Sequence, residues 1–343
     1  MNTLYFETAT DEALETCAAL IRAGETVAFP TETVYGLGAD AASAEAVGKI
    51  YSAKGREGDN PLIVHFADPE DIAAYAEIPD KELFNTLASR FMPGPLTVVL
   101  PRKAGGLTPR VSAGLSTVAV RVPSHPVARE LIKKAGVPIA APSANRSHRP
   151  SPTEASHVLE DLDGRIAAVL NGGSCAHGVE STVLLLGEEL RLLRPGAVTV
   201  EMLEAATGRH VTVDRGVLSP VAAEKKVASP GMKYRHYAPK APIVAVTGDE
   251  ERVRAFFVKE AESGAGILCY EEDLAFLPQS ERVISLGCRE DAASQAQRLF
   301  FALRTFDKLG VERIFSRLPA EAGIGLAVKN RLLRACEFQQ KEV

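Results

Sequence analysis

Lys54-Gly55-Arg56-Glu57-Gly58-Asp59-Asn60-Pro61-Leu62-Ile63-Val64-His65-Phe66 spans one helix-to-strand step. Ser43 has the side chain of a helix cap, so the spacing predicts a helix from there to about Ala53. A polar turn softened by two glycines follows, and 61–66 reads as an apolar strand. The two cations at the turn suit a polyphosphate, Lys as a point charge and Arg as a planar fork. The same pair also reads as a solvated helix end, with cations near the C-terminal dipole. Further along, Ser143-Ala144-Asn145 offers neutral hydrogen bonds without competing charge.

Outward from this step the chain keeps alternating. Toward the N-terminus, 11–23 is an amphipathic helix closed by Gly24, and 26–29 is a strand stopped by Pro30. Toward the C-terminus, helices are expected at 68–77, 80–91, 125–135 and 153–162. Strands are expected at 96–100, 117–122, 139–141, 167–170, 182–186 and 190–193. Both β-β and β-α steps occur, which calls for a twisted mixed sheet. Residues 215–241 break the rhythm and read as a linker. Beyond them strand and helix alternate again: strands at 243–246, 266–269, 283–286 and 313–315, helices at 251–262, 291–309 and 325–336. That pattern predicts a smaller, Rossmann-like three-layer α/β domain. The expected division is 1–214, a linker at 215–241, and 242–343.

Composition limits the function classes. At 343 residues, 46% hydrophobic and 24% charged, the chain reads as an ordinary globular protein of two domains. No window approaches the roughly 18 apolar residues of a membrane span. The start of the chain has neither a basic nor an apolar leader region, so no signal peptide is expected. Five scattered cysteines without a Cys-x-x-Cys pair argue for a reducing, cytoplasmic setting and against a cysteine zinc site. The net charge of −5 gives no global nucleic-acid footprint, although Arg146, His148 and Arg149 form a local basic cluster. Gly36-Leu37-Gly38-Ala39-Asp40-Ala41 fits a loose dinucleotide pattern, with Asp59 as the downstream acid. However, Pro30 to Thr33 separate those glycines from the preceding strand, against the fingerprint's requirement. No P-loop sequence and no H-x-x-x-H pair occur.

The motifs carry more as an ordered set. Phe29-Pro30-Thr31-Glu32-Thr33-Val34-Tyr35-Gly36-Leu37-Gly38 comes first, then Lys54-Gly55-Arg56, Asn60-Pro61-Leu62, Pro93-Gly94-Pro95-Leu96-Thr97 and Arg121-Val122-Pro123. Ser143-Ala144-Asn145, Ser151-Pro152-Thr153, Glu180-Ser181-Thr182 and Arg194-Pro195-Gly196 follow. This series resembles the threonylcarbamoyl-AMP synthase family over nearly the whole chain. The segment Ser229-Pro230-Gly231-Met232-Lys233-Tyr234-Arg235-His236-Tyr237-Ala238-Pro239 resembles the linker of the two-domain form. One departure is His148, where the family usually has glycine.

The resemblance implies a nucleotidyltransferase that makes threonylcarbamoyl-AMP and pyrophosphate from L-threonine, bicarbonate and ATP. Downstream transferase proteins would pass the threonylcarbamoyl group to the adenosine beside a tRNA anticodon; weak direct tRNA contact and no membrane partner are expected. Mg2+ would arrive with ATP. Lys54 and Arg56 become the candidates for cancelling charge in the reaction, with Arg194 as a third phosphate cation. Asn60, Thr117, Ser143, Asn145 and Ser151 are carried over to the nucleotide, with turn capping as the alternative. Arg121 is the candidate for a bidentate grip on the threonine carboxylate. Thr33, His65 and Ser181 are candidates for its hydroxyl. Tyr234 or Tyr237 would close over the nucleotide as a lid that orders on binding; the alternative is a tether between domains. An RNA-binding accessory module without activity is a rival reading. A carbamoyltransferase of the hydrogenase-maturation type is another, but the acylphosphatase-like and cysteine-rich segments of those proteins are missing here.

Overall fold

The computed structural model describes residues 2–220 and 236–343. The first part runs β1 (Leu4–Phe6), α1 (Asp11–Arg22), β2 (Val27–Phe29), β3 (Gly36–Asp40), α2 (Ala44–Lys54) and β4 (Ile63–His65). It continues with α3 (Lys81–Phe91), β5 (Leu96–Pro101), β6 (Thr117–Arg121), α4 (Pro126–Ala135), β7 (Ile139–Ala140) and α5 (Ala155–Leu162). β8 (Ala168–Leu170), β9 (Thr182–Leu185), β10 (Leu190–Arg194), α6 (Val200–Thr207) and β11 (Val211–Val213) complete it. The second part is β12 (Ile243–Thr247), α7 (Glu250–Glu262), β13 (Gly266–Cys269), β14 (Val283–Ser285), α8 (Ala292–Leu309), β15 (Ile314–Ser316), α9 (Gly325–Ala335) and β16 (Gln340–Glu342).

Local chemistry sets the ends of these elements. Ser43 Oγ accepts from the Ala46 amide at 3.1 Å, which starts α2, and Gly55 in the left-handed region at φ 63° ends it. Leu14, Cys17, Ala18 and Ile21 recur at helical spacing on α1 and are buried against Ala128, Leu131, Ile132 and Ala135 of α4. One expectation is corrected. The segment 68–77 forms only a short 3-10 helix, Pro69–Ala74, in which Ile72 alone is buried, too little anchorage to hold a full amphipathic helix. The glycines of the dinucleotide-like pattern lie inside β3; a Cβ on Gly38 would meet Ile139 and Phe29 at 2.7 Å. Gly38 serves close packing in the sheet, which agrees with the separation of these glycines from the strand before them.

The first sheet has eleven strands in the order β1-β8-β2-β3-β7-β4-β6-β5-β9-β10-β11. It is mixed: β4 and β6 are parallel, whereas β7 and β5 run antiparallel to them. The register pairs His65 with Arg121, so the two chemistry-bearing ends of β4 and β6 are side by side. The second sheet is β14-β13-β15-β12-β16, parallel throughout. Val253 and Phe257 of α7 cover one face against Ile267 and Phe315; Leu299, Phe300 and Leu303 of α8 cover the other with α9. This is the expected three-layer arrangement.

The two sheets meet through α8 and α9. Arg304 Nη2 donates to Pro150 O at 2.6 Å and to Asp161 Oδ2 at 2.8 Å. Asn330 Nδ2 donates to Val217 O at 2.5 Å. Gly178 permits the closest approach: a Cβ there would lie 2.4 Å from Gln297 Cα, and its φ of 70° also favours glycine. Among the described residues, no helix is long and apolar enough to cross a membrane.

Candidate active site

A cavity of about 740 Å³, its open mouth included, lies where the ends of β4 and β6 meet the turn after α2. Eleven of the site candidates named from the sequence line it: Thr33, Lys54, Arg56, His65, Arg121, Ser143, Asn145, Ser151, Ser181, Arg194 and Tyr237, with His148, Arg149 and His236 as neighbours. Asn60 and Thr117 do not line it. Asn60 is buried beneath the turn, where its carbonyl accepts from Tyr51 Oη at 3.1 Å and Arg56 Nε at 3.3 Å. Thr117 starts β6, four residues before Arg121 reaches the cavity. Tyr234 lies outside the described residues.

Lys54 is buried, and its ammonium donates to Ser143 O and Asn145 O, both at 2.5 Å. A cation at the end of α2 thereby ties down a loop about ninety positions away in sequence. Burial, helped by the nearby Arg56 charge, pushes the Lys54 amine well below its ordinary value. Asn145 Nδ2 braces the same loop by donating to Arg146 O and Arg149 O at 2.9 and 2.8 Å. Arg56 Nη2 donates to Pro61 O at 3.0 Å, which closes the turn around Glu57 to Asn60. His148, in the left-handed region at φ 74°, shows why glycine suits this position. Its imidazole reaches Glu57 at 3.1 Å, and its carbonyl accepts from the Ala238 amide at 2.9 Å, joining the loop to the linker.

Arg121 already holds a carboxylate of the protein itself. Its Nη2 donates to Glu32 Oε1 at 2.6 Å and its Nε to Gly94 O at 3.3 Å. Glu32 and Gly94 take two of the five guanidinium N–H donors, which leaves donors for a substrate carboxylate. Burial raises the Glu32 carboxyl, but the charge and hydrogen bond of Arg121 outweigh this and hold it below the usual value of 4.5. Arg194 likewise spends Nε and Nη2 on Ser181 O and Oγ, both at 3.0 Å. Burial lowers it to about 10, still protonated at neutral pH. Ser181 Oγ also shares a hydrogen bond with Thr97 at 2.8 Å, and Thr33 one with Thr31 at 2.8 Å.

His65 is buried with Nδ1 unpartnered, and burial, with Arg121 adjacent, pushes it down to about 3. It stays neutral through the physiological range. Its ring signals are expected to keep their NMR chemical shifts between pH 8 and pH 5; a titration in that window would place a counter-charge on it that this packing lacks. Tyr237 is buried with its ring 5.2 Å from that of Phe300 on α8, so it belongs both to the cavity wall and to the joint between the sheets.

Two functional carboxylates escaped the sequence reading, Glu32 and Glu180. Glu180 is buried, accepts from Ser151 Oγ at 2.5 Å and from Arg331 Nε of α9 at 2.7 Å. Both sit inside the quoted motifs, beside Thr33 and Ser181. The signal that would have found them is charge balance, since buried arginines require partners. The wall therefore combines Lys54, Arg56, Arg121 and Arg194 with one committed carboxylate, Glu180, while Glu32 stands behind Arg121. Such a wall can hold an anionic ligand and offers neutral hydroxyls around it. Among the described residues, no group of three His, Cys, Asp or Glu side chains could hold a metal ion.

Comparison with known proteins matches this architecture. Residues 19–196 match the Sua5/YciO/YrdC family model, described as telomere recombination, and residues 198–336 match the one described as threonylcarbamoyl-AMP synthase, C-terminal domain. A threonylcarbamoyl-AMP synthase of Bacillus subtilis is 48% identical over 95% of this chain and 93% of its own length. That of Pyrococcus abyssi is 44% identical over 94% of this chain and 93% of its own. The crystal structure of P. abyssi Sua5 complexed with L-threonine superposes with a TM-score of 0.88 at 40% identity, covering 100% of this chain and 99% of that one. On the matched length and the shared two-sheet architecture, the chain belongs to the threonylcarbamoyl-AMP synthase family.

Proposed function

We propose that this cavity joins L-threonine, bicarbonate and ATP into L-threonylcarbamoyl-AMP, releasing pyrophosphate. The observation that carries the reading is the gathering of Lys54, Arg56, Arg121 and Arg194 in one small cavity whose lining carboxylate, Glu180, is already paired with Arg331. Bicarbonate takes up a proton and loses water to give carbon dioxide, the free amine of threonine adds to it and releases a proton to solvent, and an oxygen of the resulting carbamate attacks the α-phosphorus in line while pyrophosphate departs. Both reactants are anions, so fixed positive charge and positioning supply most of the acceleration. A carboxylate-like nucleophile needs no general base, in keeping with a neutral His65. Arg56 and Arg194 would face the phosphates, Ser143, Asn145 and Ser151 the nucleoside. With Gly94 and Glu32 held on Nε and Nη2, Arg121 would grip the threonine carboxylate with its remaining guanidinium donors; Thr33, His65 and Ser181 would surround the substrate hydroxyl. Asn60 would act on the nucleotide through the turn that carries Arg56, and Thr117 through β6, which ends on Arg121. Mg2+ enters as part of the ATP substrate.

In this reading the chemistry belongs to 1–214, 215–241 joins and covers the site, and 242–343 supports it. Tyr237, and with it the linker, would exclude water from a hydrolysable product. The product serves transferase proteins that modify tRNA beside the anticodon, in the cytoplasm. Product analysis tests the reading: the pure protein, given ATP, bicarbonate and labelled threonine, is expected to release pyrophosphate only when all three are present, with label in an acyl-adenylate. Pyrophosphate release that ignores threonine, or none at all, would overturn it.

A further inference from the structure

We propose that Arg331 of α9 is a positioning residue for the nucleotide: it neutralises Glu180 in the cavity wall and so fixes the Ser151 hydroxyl as a hydrogen-bond acceptor toward the ligand. The inference rests on the nucleotide reading of the cavity. Arg331 is 0% exposed and Glu180 6%, so this ion pair is buried between the two sheets. The guanidinium Nε donates to Glu180 Oε2 at 2.7 Å, its Nη1 to Asn330 Oδ1 at 2.7 Å, and the Tyr237 ring lies 5.6 Å from its carbon centre. The other carboxylate oxygen of Glu180 takes the only proton of the Ser151 hydroxyl, at 2.5 Å. With that proton committed, Ser151 presents lone pairs to the cavity, suited to a ribose hydroxyl or an adenine amino group.

The chain of contacts runs from a helix that contributes no cavity-lining side chain to a hydroxyl that does. Arg304 of α8 grips the carbonyl just before it, Pro150 O. Ser151 is thus held from both sides by cations of the second sheet's helices. Without Arg331, Glu180 would be a buried carboxylate beside an anionic ligand, facing only Arg194 and Ser151. Repulsion would fall on the nucleotide and spare threonine, which lies toward Arg121.

The test is calorimetric binding of a non-hydrolysable ATP analogue and, separately, of L-threonine, on the full chain. Arg331→Met is expected to weaken analogue binding at least tenfold and to leave threonine binding within about twofold. The double variant Glu180→Gln/Arg331→Met, which removes the stranded charge, is expected to return analogue affinity to within about threefold of the parent. Equal weakening toward both ligands, an unchanged analogue affinity, or a double variant no better than the single would overturn the proposal and leave Arg331 a structural ion pair. Should Arg331→Met not fold, Arg331→Lys carries the test: a threefold or greater loss confined to the analogue supports the role, and no loss overturns it. A parent protein that binds the analogue yet makes no acyl-adenylate would overturn the functional reading alone.

Discussion

Synthesis by a Lys54→Ala variant is expected to fall by about 10²–10³-fold, the usual loss when one charge-stabilising group is removed from a preorganised site. Two effects combine. The cavity loses a buried cation, and the carbonyls of Ser143 and Asn145 lose the ammonium that holds them at 2.5 Å. Each abandoned buried acceptor costs about 1–3 kcal/mol, so the loop should loosen as well. Arg56→Ala is expected to match it in rate, through the phosphate side and through the turn that Pro61 O closes. Steady-state pyrophosphate release at saturating substrates, with circular dichroism to confirm folding, is the measurement. Near-parental rates in both variants would take these cations out of the chemistry.

Arg121→Ala is expected to cost about 3–5 kcal/mol of stability at neutral pH, because it leaves Glu32 buried and unpaired. The pH dependence follows from Glu32. Its carboxyl is held below the usual 4.5 in the folded parent. The pair's stabilising contribution is therefore fully present above pH 4.5 and is lost as pH falls through the lower folded value. In the variant the carboxyl is free to protonate, so the gap between variant and parent should be widest near pH 7 and narrow as pH drops past 4.5. Urea unfolding at a series of pH values reads this directly, and a gap independent of pH would assign the loss to packing. At permissive temperature, substrate titration should show the Michaelis constant for threonine rising far more than that for ATP.

The sequence carried the architecture and most of the cavity for physical reasons. Alternation with periods of two and 3.6 marks which faces are buried, so the mixed sheet and the three-layer domain could be read without contacts. Lys54, Arg56, Ser143 and Arg194 stood out because cations and small polar groups at the ends of apolar runs gather at strand termini. Partnership was less legible. Nothing local says that Lys54 points at carbonyls near residue 145, or that Glu180 waits for Arg331. The short edge strand β1 and the terminal β16 were missed because their residues are exposed and carry no alternation. The strand Gly36–Asp40 carried no strand signal, because two of its five residues are glycines, against which the ring of Phe29 packs. His148 was noticed as a departure, and its positive φ supplies the reason.

The pairing of Glu180 with Arg331 also bears on how the protein is born. The two residues are 151 positions apart, and Asp161 and Arg304 are 143 apart. At about 5–20 residues per second on the ribosome, the cation reaches its carboxylate roughly 8–30 s after the carboxylate has been made. Throughout that interval the emerging chain holds Ser151 and Glu180 and lacks the Arg331 charge that neutralises the buried carboxylate. Co-translational folding of the first sheet must therefore leave the Glu180 corner wet, to be sealed only when α9 leaves the exit tunnel.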